Sequence, residues 1–168
     1  VRNEHRNNIL HMTIAPAEVS EDVAKEAHEL ALRLAQGFEL AGILAIELFV
    51  TKDERVIVNE LAPRPHNSGH YTIEACSFDQ FDAHIRGIAG WPLEQPELLK
   101  PAVMVNVLGQ HVAPTRALIA EHPEWNMHDY CKAEVRHDRK MGHITVLTDD
   151  TRQTVADLER TGCWDDLK

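Results

Sequence analysis

Cysteine is scarce in this sequence. The three residues Cys76, Cys131 and Cys163 lie far apart and form no CxxC pair. That spacing argues against a disulfide framework or a thiolate zinc site and predicts reduced thiols. Long hydrophobic runs are missing too: none reaches the roughly 20 residues that a membrane-spanning helix needs. Positive charge is in deficit, with 17 Lys and Arg against 27 Asp and Glu and a formal net charge of -10. General nucleic-acid binding requires a basic face to neutralise phosphates, so this balance argues against it. A local basic pocket for a small anion remains compatible with it. There is no Gly-rich phosphate loop, no HExxH helix, no internal repeat and no low-complexity tract. The opening Val1-Arg2-Asn3-Glu4-His5-Arg6 has no signal-peptide pattern, which places the expectation in the cytoplasm.

What is present is an ordinary globular composition over 168 residues, 43% hydrophobic and 26% charged, enough for one core or two small domains sharing a surface. Ile9 to Ala15 reads as a strand ended by Pro16. Ser20 is a good N-cap, with Glu21 and Asp22 in the first turn. Val23, Ala27, Leu30, Ala31, Leu34 and Phe38 then recur at helical spacing, which predicts a helix over about 20–37. Ile43 to Val50 and Arg55 to Leu61 read as a hairpin turning at Thr51-Lys52-Asp53-Glu54. A Pro-rich loop runs from Ala62 to Gly69, and helices are expected over about 72–77 and 80–88. The stretch from Gly90 to Pro101 is the best boundary, dividing the chain into 1–95 and 96–168. Beyond it the pattern predicts strands over 102–108, 129–135 and 143–147, and helices over 115–121 and 150–160. Without a regular βαβ alternation the expected class is α+β.

Three features carry chemistry. Glu47 and Glu60 are acids inside otherwise apolar strands, where a carboxylate is costly without partners. Facing one side of the hairpin, they would form an oxygen-rich site for Mg²⁺; facing outward, they are simply solvated, and pattern alone leaves both open. Glu60 then runs into Ala62-Pro63-Arg64-Pro65-His66-Asn67-Ser68-Gly69-His70. Two prolines stiffen that loop and a glycine allows close approach, while a guanidinium, an imidazole, an amide and a hydroxyl are presented together. It suits a small oxyanion such as bicarbonate, with Arg64 able to grip it bidentately; the plainer reading is a polar surface turn. Lys132, Arg136, His137, Arg139, Lys140 and His143 form a basic cluster, either a solvated turn or a phosphate site. His66 and His70 have helical metal-ligand spacing, but Pro65 and Gly69 argue against a helix there, and so against zinc.

The run from Gly42 to Phe49, the run from Val58 to Ala75, Lys132 and the segment Arg139-Lys140-Met141-Gly142-His143 together resemble the N5-carboxyaminoimidazole ribonucleotide synthetase family of the ATP-grasp superfamily. The resemblance covers nearly the whole chain. It implies the second lobe of an ATP-grasp domain followed by a small C-terminal α/β domain. It further implies that Glu47 and Glu60 hold Mg²⁺ bridging the phosphates of ATP, with Asn59 at the same edge. Arg64, His66, Asn67, Ser68 and Gly69 would bind bicarbonate and then carboxyphosphate, and Lys132 and Arg139 would clamp the 5′-phosphate of aminoimidazole ribonucleotide. No nucleophilic side chain is required, so the cysteines need no catalytic role.

The same resemblance places the adenine hinge and the phosphate-contacting lysines upstream of the matching segment. The expectation is therefore a piece of a longer enzyme that lacks the N-terminal lobes, is inactive alone, and is dimeric at full length as members of that family commonly are. A formate-dependent glycinamide ribonucleotide transformylase shares the Pro-Arg-Pro-His core, but the continuation Asn67-Ser68-Gly69-His70-Tyr71 favours the carboxylating family. Nothing past the boundary resembles a biotin-dependent carboxylase. A non-catalytic ribonucleotide-binding module is the rival of a different kind.

Overall fold

The computed structural model describes residues 1–165. Its centre is an antiparallel five-stranded sheet ordered β1-β2-β5-β7-β6. β1 spans Arg2–Arg6, β2 Ile9–Ala15, β5 Ala102–Leu108, β6 Asn126–Asp129 and β7 Lys140–Leu147. A separate hairpin pairs β3, Ala45–Val50, with β4, Val56–Ala62. Five α-helices are described: α1 Glu21–Gly37, α2 Thr72–Ala75, α3 Gln80–Ala89, α4 Val112–Leu118 and α5 Thr151–Arg160. The class is α+β, as the absence of βαβ alternation implies.

The sheet has two unlike faces, and side-chain alternation explains both. Met12, Ile14, Val103, Val105, Val107, Ile144 and Val146 share one face, where they pack with Leu158 of α5, Trp125 and Trp164 into the apolar core. The intervening residues His11, Thr13, Asn106, His143 and Thr145 are also buried, on the opposite face. Register aligns them: Thr13 pairs with Met104, and Asn106 and His128 both pair with His143. That polar face is the floor of the site described below.

The strands at 9–15 and 102–108 and the Ser20-capped helix form where their patterns predict, with the Ser20 side chain accepting from the Val23 N–H at 3.4 Å. Other parts differ. The strand expected over 129–135 is a short strand, Asn126–Asp129, followed by an irregular loop. Cys131 and Asp138 both take positive φ there, 51° and 60°, and Asp129 Oδ1 accepts from the Cys131 N–H at 2.8 Å, turning the chain out of extended geometry. β7 consequently starts at Lys140 rather than His143. The helix expected over 115–121 begins earlier, at Val112, with Pro114 in its first turn where no intrahelical N–H is required. β1 was not anticipated, because its sequence RNEHR has no apolar alternation; pairing with β2 makes it a polar edge strand. The expected boundary between 95 and 96 lies between α3 and β5, and β1 and β2 before it share one sheet with β5, β6 and β7 after it. Among the described residues no helix is long and apolar enough to cross a membrane. Cys76, Cys131 and Cys163 are free thiols.

Ile144 lies at the centre of the apolar face and is fully buried. Ile144→Ala should destabilise the chain by about 2–5 kcal/mol, since the surrounding strands cannot collapse onto the space it leaves. Urea unfolding checks this; a loss below about 1 kcal/mol would contradict the packing assigned to this face.

Candidate active site

The hairpin β3–β4 sets the two acids opposite each other. Glu47 pairs with Glu60, and the register slips immediately afterwards, so that Leu48 pairs with Val58. Asn59 is left as the extra residue of a β-bulge, a device that re-aims side chains. Its Nδ2 donates to Glu47 Oε2 at 3.3 Å. The Glu47 side chain is only 22% exposed, and its other oxygen lies 3.6 Å from His66 Nε2.

β4 leads directly into the loop from Pro63 to Gly69, which closes in a single 3₁₀ turn over Asn67–Gly69. His66 Nδ1 and the Ser68 hydroxyl are 2.8 Å apart. Asn67 is turned toward the sheet. Its Nδ2 donates to Asn106 Oδ1 at 3.0 Å while Asn106 Nδ2 donates back to Asn67 Oδ1 at 2.6 Å. The same Asn106 amide donates to the Leu10 carbonyl at 2.7 Å. Asn67 Nδ2 also reaches the Tyr130 hydroxyl at 3.5 Å. Most of the hydrogen-bonding capacity of this amide is therefore committed within the protein.

Glu47, Glu60 and His66 line a cavity of about 500 Å³ together with Asp138, Lys140 and the turn between β1 and β2. Burial holds His66 below the usual imidazole range, against an opposing pull from Glu47. Burial likewise lowers Lys140; Glu47 counteracts it, while Lys132 and Arg64 push it further down. Lys140 thus lies within reach of two further cations, Arg64 and Lys132, and of the half-buried Glu47 carboxylate. An added anion relieves the repulsion on Lys140, whereas an added cation needs the carboxylates.

The basic cluster resolves into distinct roles. Lys132 Nζ donates to the Lys140 carbonyl at 2.6 Å and sits 5.4 Å from the centre of the Tyr130 ring. Arg139 is exposed and donates to the Glu134 carbonyl at 3.1 Å. Arg136 pairs with Glu134 and His137 with Asp138, both on the surface. Lys140, grouped in the cluster by sequence but not singled out, is the member that lines the cavity. His143 points into the polar face, with its Nδ1 2.9 Å from the Tyr130 hydroxyl, in a stack with His70 and His128 at 4.9 and 4.6 Å. His128 Nε2 meets Glu74 Oε1 at 2.5 Å. Among the described residues no group of three or more His, Cys, Asp or Glu side chains is placed to hold a metal ion by itself. Two carboxylates side by side still fit a hard divalent cation that takes its remaining oxygens from a phosphate substrate.

Residues 1–81 match the family model described as the ATP-grasp domain, and residues 102–157 match that of the phosphoribosylaminoimidazole carboxylase C-terminal domain. The N5-carboxyaminoimidazole ribonucleotide synthase of Staphylococcus aureus strain COL is 48% identical over 157 residues, covering 93% of this chain and 41% of the relative. A crystal structure of the Staphylococcus aureus synthetase complexed with ADP superposes with a TM-score of 0.91 at 46% identity, covering 99% of this chain and 44% of that one. The Aspergillus clavatus synthase in complex with ADP and 5-aminoimidazole ribonucleotide superposes with a TM-score of 0.88 at 32% identity, covering 98% and 46%. This chain belongs to the N5-carboxyaminoimidazole ribonucleotide synthase family. It spans about 41% of the length of the curated relatives it matches.

The buried histidines generate a pH prediction. Burial is the leading cause that brings His11 and His70 down to about 4 and His143 to about 3. Unfolded, each titrates near 6.5. Between those values the unfolded chain binds more protons, so stability is complete above about pH 6.5 and falls as pH drops toward 4. Urea midpoints measured from pH 7.5 to 4 should decline through that window, ahead of the carboxylate range. A flat profile down to pH 4.5 would show that these imidazoles are not desolvated.

Proposed function

We propose that this chain provides the carboxylate, bicarbonate-binding and substrate-phosphate parts of an ATP-dependent ligase. The enzyme joins bicarbonate to the exocyclic amine of 5-aminoimidazole ribonucleotide in purine biosynthesis, releasing ADP and phosphate. The observation that carries the reading is the shared cavity: Glu47, Glu60, His66 and Lys140 converge on it from the hairpin, the loop and β7.

In this reading Glu47 and Glu60 hold Mg²⁺, with Asn59 buttressing Glu47 through its bulge contact. When bound, Mg²⁺ supplies charge neutralisation at the phosphate oxygens. Arg64, His66 and Ser68 bind bicarbonate through the guanidinium, the imidazole and the hydroxyl; Gly69, whose N–H donates to the His66 carbonyl at 2.9 Å, shapes the turn rather than contacting the anion, and Asn67 keeps this loop on the sheet. Bicarbonate oxygen bonds to the γ-phosphorus as the bond to ADP breaks. The amine then takes the carboxyl carbon as phosphate leaves. The residues here bind, align and shield the reactants from water, and no side chain needs to become a covalent intermediate. Lys132 and Arg139 hold the 5′-phosphate, and Lys140 adds a third cation to that side. In this reading the chain works within a longer polypeptide that supplies the remaining nucleotide contacts and acts as a cytoplasmic homodimer.

Calorimetric titration of 5-aminoimidazole ribonucleotide into the chain should give saturable binding that Lys132→Ala weakens about tenfold, the value of one charge-assisted contact. An unchanged isotherm in the variant would remove Lys132 from the phosphate site. ADP release from Mg-ATP and bicarbonate distinguishes the two remaining forms of the proposal. Release that depends on the ribonucleotide makes this chain sufficient for turnover; binding without release makes it the binding half of the enzyme.

A further inference from the structure

The donor-rich loop is seated by one side chain outside it. Gln80 opens α3 and is buried. Its Oε1 accepts from the His66 N–H at 2.8 Å, and its Nε2 donates to the His66 carbonyl at 2.8 Å and to His70 Nδ1 at 2.8 Å. A carboxamide that meets both polar groups of one residue reproduces what a neighbouring β-strand would offer. His66 has extended backbone angles, φ -121° and ψ 149°, but belongs to no strand. Both Nε2 protons are used, so the amide has one orientation, and His70 Nδ1 must be an acceptor with its proton on Nε2.

The surroundings fit Gln80 closely. Its own N–H donates to Thr72 Oγ1 at 3.0 Å, and that hydroxyl donates to the Gly69 carbonyl at 2.6 Å. A Cβ at position 69 would collide with the Gln80 carboxamide, so any other residue there would displace it from His66. Asp79 caps the helix by accepting from the Phe81 and Asp82 N–H groups at 2.7 and 2.9 Å, which fixes the first turn of α3 and Gln80 with it.

We infer that Gln80 is the positioning residue of the oxyanion loop. Its carboxamide holds the His66 backbone so that the imidazole stays beside Glu47 and the loop's donors are aimed before any anion arrives. Donors fixed in advance require no reorganisation when the ligand binds, which is where such a clamp acts on affinity. The inference rests on the reading of this loop as the bicarbonate site.

The test uses Gln80→Leu, which keeps the bulk and removes all three hydrogen bonds, and Gln80→Glu, which keeps an acceptor for the His66 N–H and removes the donors. Amide hydrogen exchange, imidazole nitrogen shifts and a bicarbonate titration are followed by NMR on the 168-residue chain. In Gln80→Leu the His66 amide should exchange about tenfold faster while amides of β5 and β7 keep their protection, as expected for one lost hydrogen bond. The His70 proton should no longer be confined to Nε2, and bicarbonate shifts at residues 66–69 should need about tenfold more ligand. Uniform loss of protection across the core would reduce Gln80 to a packing residue and overturn the inference, as would an unchanged bicarbonate response. If Gln80→Leu does not fold, Gln80→Glu carries the His70 tautomer and bicarbonate readouts, since it removes both Nε2 donations while the His66 N–H keeps its acceptor. If the unsubstituted chain shows no bicarbonate shifts, the bicarbonate reading fails, and exchange and tautomer then decide the clamp alone.

Discussion

The whole arrangement depends on a sheet with a buried polar face. Polar atoms taken out of water are costly unless they find partners, and here a row of them, from His11 through Asn106 to Thr145, lies inside. Asn106 is the pivotal member. One carboxamide ties together β5, the Leu10 carbonyl of β2 and Asn67 of the loop. Its backbone carbonyl also accepts from Trp164 Nε1 at 2.9 Å, so the same residue touches the core on the other side. The reciprocal amide pair of Asn67 and Asn106 docks the loop on this face, and the hairpin that precedes the loop is carried into place with it.

Electrostatics follow from that docking. The chain as a whole is strongly acidic, yet Lys140 at the start of β7 has Arg64 of the docked loop, Lys132 and the Glu47 carboxylate as electrostatic neighbours. Partial burial of Lys140 weakens solvent screening, so it feels the other two cations. A site of this kind is poised for an anion without needing a basic protein around it. Burial likewise keeps His70 and His143 neutral near pH 7, and they contribute shape, stacking and hydrogen bonds rather than charge.

Much of the fold was legible wherever local pattern and tertiary context agreed. Strand β2, with its loose alternation ended by Pro16, the Ser20-capped helix with its helical spacing, and the apolar run of β5 ended by Gly109 are such segments. The strand expected over 129–135 stops at Asp129 because positive φ at Cys131 turns the chain into a loop, although Tyr130 and Val135 suit a strand. Of the site, Glu47, Glu60 and the Arg64–Gly69 loop stood out as polar groups in unusual surroundings. Asn106 carried the same kind of signal, an amide amid Ala-Val-Met-Val-Asn-Val-Leu, and could have been singled out on it. Gln80 and Lys140 could not, since a glutamine after a helix cap and one lysine in a basic run are unremarkable locally.

By itself the sequence determined the motif, the family it belongs to and the alternation that gives each strand two faces. Tertiary structure alone decided which residues meet. The bulge that turns Asn59 onto Glu47, the choice of Lys140 over Arg139 at the cavity, and the amide pair between residues 39 positions apart all depend on partners chosen across space. The physical reason lies in the strand order β1-β2-β5-β7-β6. Periodicity specifies the face on which a side chain lies, but only pairing between strands distant in the chain specifies what lies opposite it.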